Sequence, residues 1–117
     1  MENIIIIGSS GHAKVIIDIV EKENKHNIIG LIDKFREIDE ETLGYKIIGK
    51  EEDIPNLFKK HNLAGGIIAI GVNWIRNKVY ENIKSIQPNF RFITTIHPSA
   101  QIAKNVNIGN GTVVMAG

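Results

Sequence analysis

The chain has 117 residues, 43% of them hydrophobic and 23% charged, with a formal net charge of +1 and no cysteine. That length suits one small core plus a short extension. The near-neutral balance and the 6% of aromatic residues argue against nucleic acid or an anionic membrane as partner, and the missing cysteines exclude disulfides, thiolate metal sites and thiol nucleophiles.

An apolar run of only four residues, Ile4 to Ile7, follows Met1-Glu2-Asn3. A secretory signal needs a longer apolar stretch and a membrane helix about 20 apolar residues, so a soluble, cytoplasmic protein is expected. Residues 3–7 read as a strand buried on both faces, ending at the small-residue turn Gly8-Ser9-Ser10-Gly11. From His12 to about Lys25 the pattern turns helical, with Val15, Ile16, Ile19 and Val20 on one face. Residues 28–32 read as a second strand closing at Asp33, residues 34–44 as a charged surface loop, and residues 45–48 as a short strand. A helix is predicted near residues 52–61, acidic at its start and with Lys59 and Lys60 near its end, as the helix dipole favours; Pro55 requires its first turn there. Residues 66–70 read as a strand ending at Gly71. Asn73 can cap the next helix, whose inward stripe is Ile75, Val79, Ile83 and Ile86. Pro88 stops that helix, and residues 90–94 read as a last strand. Alternating strands and helices predict an α/β domain over residues 1–95, an open parallel Rossmann-like sheet of about five strands with helices on both faces.

From Ile96 a period of six takes over: Ile96, Ile102, Ile108 and Val114 are each six apart, and Ala100, Val106 and Thr112 follow four positions after the first three. Such hexads predict a parallel β-helix with one aliphatic per face pointing into a narrow prism. Three hexads complete one coil, so residues 96–117 are expected to supply the first coil of a truncated solenoid.

In open α/β sheets ligands bind beyond the carboxyl ends of the strands, where free N–H groups and the helix dipole favour an anion. This places Gly8, Ser9, Ser10 and Gly11 as a candidate anion cradle, with His12 and Lys14 on the helix behind it. Asp33 is a candidate acceptor for a ribose hydroxyl or a base edge, and Gly71 and Asn73 are candidates for the same crevice; Asn73 serves equally well as a plain helix cap. His97, before Pro98 at the domain junction, is read as structural, and His26 and His61 as solvated residues after helix ends. The four histidines show no metal-ligand spacing, so no metal is expected.

The run from Ile4 through Gly8-Ser9-Ser10-Gly11-His12-Ala13-Lys14-Val15, then Leu31-Ile32-Asp33, Ala69-Ile70-Gly71-Val72-Asn73 with Arg76, and Ile96-His97-Pro98-Ser99-Ala100 resembles the PglD/NeuD-type sugar acyltransferases of the left-handed β-helix superfamily. The resemblance covers essentially the whole chain, with Ser10 where the family turn usually has a glycine and Val72 where it commonly has an acidic residue. It implies an N-terminal domain that holds a nucleotide-activated amino sugar or sialic acid (UDP-linked favoured, GDP- or CMP-linked as alternatives), acetylated on an amine or a hydroxyl, for bacterial surface glycan synthesis. It further implies a homotrimeric β-helix that binds acetyl-CoA as co-substrate and carries a histidine base beyond Gly117. The 117-residue chain is then expected to be inactive and monomeric or weakly associated, with no catalytic residue of its own.

Two other classes fit parts of the pattern. Gly8, Ser10 and Ala13 occupy the places of a Gly-x-Gly-x-x-Gly/Ala fingerprint, with Asp33 twenty residues after Ala13, as in an NAD(P)-type dinucleotide-binding or sensor module. A purely assembling scaffold is the other.

Overall fold

Ile4 to Ile7 are almost fully buried because their side chains alternate into two separate cores. Ile4 and Ile6 enter the core beneath the first helix, whereas Ile5 and Ile7 enter the core beneath the other two. A strand flanked by apolar layers on both faces belongs at the centre of a parallel sheet.

A computed structural model describes residues 1–93 together with the strand segments Thr95–Ile96 and Val113–Val114. In chain order the elements are β1 (Glu2–Ile7), α1 (Gly11–Glu23), β2 (His26–Ile32), β3 (Glu41–Thr42) and β4 (Tyr45–Gly49). A 3₁₀ turn, Glu51–Asp53, leads into α2 (Ile54–Lys60); β5 (Leu63–Ile68), α3 (Asn73–Ile86), β6 (Arg91–Phe92), β7 (Thr95–Ile96) and β8 (Val113–Val114) follow. Pro55 sits in the first turn of α2, where its missing N–H costs no hydrogen bond.

The main sheet has six strands in the order β3-β4-β2-β1-β5-β6. All neighbours run parallel except β3 and β4, an antiparallel hairpin pairing Thr42 with Tyr45. The sheet is therefore mixed rather than purely parallel, and the expected surface loop contains a two-residue edge strand. Alpha-helix α1 covers one face and α2 with α3 the other, as expected. On α1 the buried face is Ala13, Ile16, Ile17, Ile19 and Val20, and Val15 is 42% exposed. Tyr45 ties this helix to β4 by donating its phenol to Glu21 Oε2 at 2.7 Å. Burial, and then that carboxylate, push the phenol up to about 12.

Strand β5 begins three residues earlier than expected, because Leu63, Ala64 and Gly65 are part of it. A Cβ on Gly65 would overlap the backbone of Arg91, its partner in β6. The glycine is what lets the two strands meet.

Strands β7 and β8 pair parallel with a constant offset of eighteen residues, Thr95 with Val113 and Ile96 with Val114. Neither joins the six-stranded sheet, and β7 runs beside α1. The other hexad positions, including Ile102, Ile108, Ala100, Val106 and Thr112, and likewise His97, lie outside the described residues.

Candidate functional site

The chain steps outward from β1 through β2 to β4, then returns to the other side of β1 with β5. From β1 it leaves to α1 on one face, and from β5 to α3 on the opposite face. Loops that part in this way open a crevice at the carboxyl ends of the strands. A cleft of about 330 Å³ lies there, lined by residues 7–10 after β1, 32–35 after β2, Glu51, residues 69–72 after β5, and Ile75 and Val79 of α3. Its floor is aliphatic (Ile7, Ile32, Ala69, Ile75 and Val79), and its polar groups sit in the loops.

The strand ends are tied together. Gly8 N–H donates to Ile32 O and Ala69 N–H donates to Ile7 O, both at 2.7 Å. Gly8 has φ +112°, and a Cβ there would stand 2.7 Å from the carbonyl oxygen of Ala69. Both facts demand glycine. The turn then enters α1 with Ser10 at the N-cap in extended conformation, and Lys14 N–H to Ser10 O is the first helical bond. Neither α1 nor α3 has a side-chain cap or an acidic residue in its first turn. The leading N–H groups of both helices thus have no intrahelical acceptor, and each end carries partial positive charge. Ser10 and Val72, the two N-cap residues, both line the cleft. An anion held between them meets two dipoles and several N–H donors at once.

Asp33 links this turn to the loop after β2. Its Oδ2 accepts from the Ser9 hydroxyl at 2.5 Å and its Oδ1 from Phe35 N–H at 2.8 Å. The network continues as Thr42 donates to Ser9 O at 3.2 Å and Arg36 donates to Thr42 Oγ1 and to Glu41 O. Ser9 and Thr42 are buried, so their polar atoms depend on these partners. Asp33→Ala strands the Ser9 hydroxyl at 4% exposure and is expected to cost about 1–3 kcal/mol in a urea unfolding curve. Asp33→Asn, which keeps one acceptor oxygen, should cost clearly less; equal losses would show that the contact with Ser9 contributes little.

Among the residues singled out from the sequence, Gly8, Ser9, Ser10, Asp33 and Gly71 line the one cleft. Gly11, His12, Lys14 and Asn73 do not. Gly11 opens α1 with free space around it, Lys14 is exposed, and Asn73 is the first residue of α3 after Val72 at the cap. His12 is half-buried against the cleft wall, with Nδ1 3.9 Å from where a Cβ on Gly71 would stand. His26, expected in solvent, opens β2 and has a buried Nδ1 with no hydrogen-bond partner. The sequence reading missed Lys34, Phe35, Glu51 and Val72 as lining residues. Lys34 and Phe35 were legible in principle, because they directly follow a strand's carboxyl end. Glu51 was not, because it reaches the cleft only through pairing of β4 with β2.

The model of the PglD N-terminal domain matches residues 3–83. The chain belongs to the PglD N-terminal domain family. A curated relative, the UDP-N-acetylbacillosamine N-acetyltransferase of Bacillus subtilis (strain 168), is 32% identical over 117 residues, covering 99% of this chain and 52% of that protein. Among solved structures, a perosamine N-acetyltransferase from Caulobacter crescentus, in complex with CoA and GDP-perosamine, superposes with a TM-score of 0.86 at 30% identity. That match spans 100% of this chain and 53% of the other. The acetyltransferase domain of PglB from Neisseria gonorrhoeae FA1090, with acetyl coenzyme A, gives 0.82 at 28% identity over 98% of this chain and 53% of that one. The chain spans about half the length of the relatives it matches. The open α/β architecture read from the sequence is the architecture of these family members.

Proposed function

We propose that this chain is the nucleotide-sugar-binding part of an acetyl-CoA-dependent acetyltransferase acting on a nucleotide-activated amino sugar for surface glycan synthesis. One observation carries it: two uncapped helix N-termini and the Gly8 turn converge on one switch-point cleft, in a chain of this family. A diphosphate bridging nucleoside and sugar matches that donor set. The B. subtilis relative is named for a UDP-linked sugar and the C. crescentus structure holds a GDP-linked one, so the nucleotide-sugar class is shared and the base is not. The UDP-linked form is the reading favoured here, supported by the 32% relative.

In the reaction, the sugar amine attacks the thioester carbon, a C–N bond forms as the C–S bond breaks, and the amine proton passes through a general base to the departing sulfur, so that CoA leaves as its thiol. Residues 1–93 supply the sugar-nucleotide cleft. The eighteen-residue offset between β7 and β8 supports reading residues 96–117 as the first coil of a left-handed β-helix, the part that would hold acetyl-CoA and trimerise. The working location is the cytoplasm.

Calorimetry of the 117-residue chain against UDP-, GDP- and CMP-sugars tests this. Weak binding, strongest for the UDP-sugar, is expected, with no acetyl transfer from acetyl-CoA. Silence with all three removes the binding claim, and saturable NADH binding in their place would turn the cleft into a dinucleotide site.

A further inference from the structure

We infer that Phe35 is the stacking platform for the nucleobase, so that the nucleoside lies toward β2 and the sugar toward α3. This deepens the nucleotide-sugar reading above and rests on it. Phe35 is the one aromatic side chain among the described residues that line the cleft. It is 85% exposed, so its ring is within reach of a ligand that enters the cleft. It is not a loose loop residue. Its N–H is held at 2.8 Å by Asp33 Oδ1, and the same carboxylate holds Ser9 in the glycine turn at 2.5 Å. The platform is therefore anchored to the segment that positions the anion. Lys34 Nζ rests 5.0 Å from the ring centroid, and the high exposure leaves ring surface free beside it. A base laid on Phe35 gains contact at little entropic cost, because the backbone is already fixed.

Direction follows from what each side of the cleft offers. Toward β2 the lining has a carboxylate, Asp33, able to accept from ribose hydroxyls, and then the Phe35 ring. Toward α3 it has Gly71 and Val72, with His12 behind Gly71 and no aromatic lining among the described residues. The rival platform is Trp74, 68% exposed in the first turn of α3 but outside the cleft lining.

Heteronuclear NMR titrations with UDP, GDP and inorganic pyrophosphate separate the possibilities. Phe35→Ala is expected to weaken UDP and GDP by roughly tenfold or more, as loss of one base–aromatic stack does, and to leave pyrophosphate unchanged. Phe35→Tyr should restore nucleotide binding, and Trp74→Ala should leave it intact. Trp74 is the single tryptophan of the chain. A Phe35→Trp, Trp74→Phe double variant therefore carries one indole, at position 35, and its fluorescence should be quenched as UDP saturates. If Phe35→Ala binds both nucleotides like wild type, if it loses pyrophosphate equally, or if Trp74→Ala is the variant that fails, the platform assignment falls while the nucleotide reading stands. If wild type binds none of the three, both fall together.

Discussion

Gly65→Ala is expected to remove about 3–5 kcal/mol of stability, and Gly65→Val to leave the chain largely unfolded at room temperature. The added Cβ would meet the carbonyl and amide of Arg91, which are backbone atoms that no rotamer change can move aside. Relief requires β6 to leave β5, and β6 pairs there through only two residues, Arg91 and Phe92. Phe92 packs at a tilt against Tyr80, 4.5 Å away, and Phe90, 5.0 Å away, between ring centroids, so the aromatic part of the core under α2 and α3 goes with the strand. Each such aromatic pair is worth about 0.5–1.5 kcal/mol beyond its burial. Gly11→Ala is the matching control. It adds the same atom in a helix, with nothing within 4 Å, and should stabilise by about 0.5–1 kcal/mol. Urea unfolding followed by circular dichroism reads both, and a Gly65→Ala midpoint no lower than wild type would mean that β6 is not held at this edge.

The same glycine shows where the sequence stops being readable. Residues 63–66 look like a poor strand, because glycine packs no side chain. The reason for the glycines is a partner twenty-six residues further on, and no local pattern carries that information. By contrast β1 was plain, since four successive isoleucines can be buried only between two apolar layers. Alpha-helix α1 was plain as an element but not in its rotation. Periodicity groups Val15 with Ile16, Ile19 and Val20, whereas packing against the sheet buries Ala13 and Ile17 together with Ile16, Ile19 and Val20 and leaves Val15 exposed. The Gly8 turn and Asp33 were legible because their chemistry is local, namely a positive φ and an acid at a strand's end. Val72 and Glu51 were hidden among loop residues, and only the reversal of strand order brings them to one cleft. Asn73 shows the limit of residue preference. It is a good capping type, yet Val72 occupies the cap, so the N-terminus of α3 stays without a side-chain partner and open to a ligand.

Ser10→Asp is expected to move stability and binding in opposite directions, and this contrast is the sharpest test of the anion position. Ser10 caps α1 without using its hydroxyl, is exposed, and lines the cleft. Aspartate is as good an N-cap as serine, and its charge faces the positive end of the helix dipole, so the folded chain should gain about 0.3–1 kcal/mol. That carboxylate would sit where the diphosphate is proposed to lie. It satisfies the free N–H groups itself and repels an incoming anion at a few ångströms. Nucleotide-sugar affinity should fall by about 100-fold or more, equivalent to about 2.7 kcal/mol. Ser10→Asn keeps the capping preference without the charge and should bind within a few-fold of wild type. Thermal unfolding and calorimetry on the same samples separate the two effects. If Ser10→Asp melts higher and still binds the nucleotide sugar as wild type does, the diphosphate does not lie at the N-terminus of α1, and the remaining uncapped end, that of α3 behind Gly71 and Val72, becomes the place to look for it.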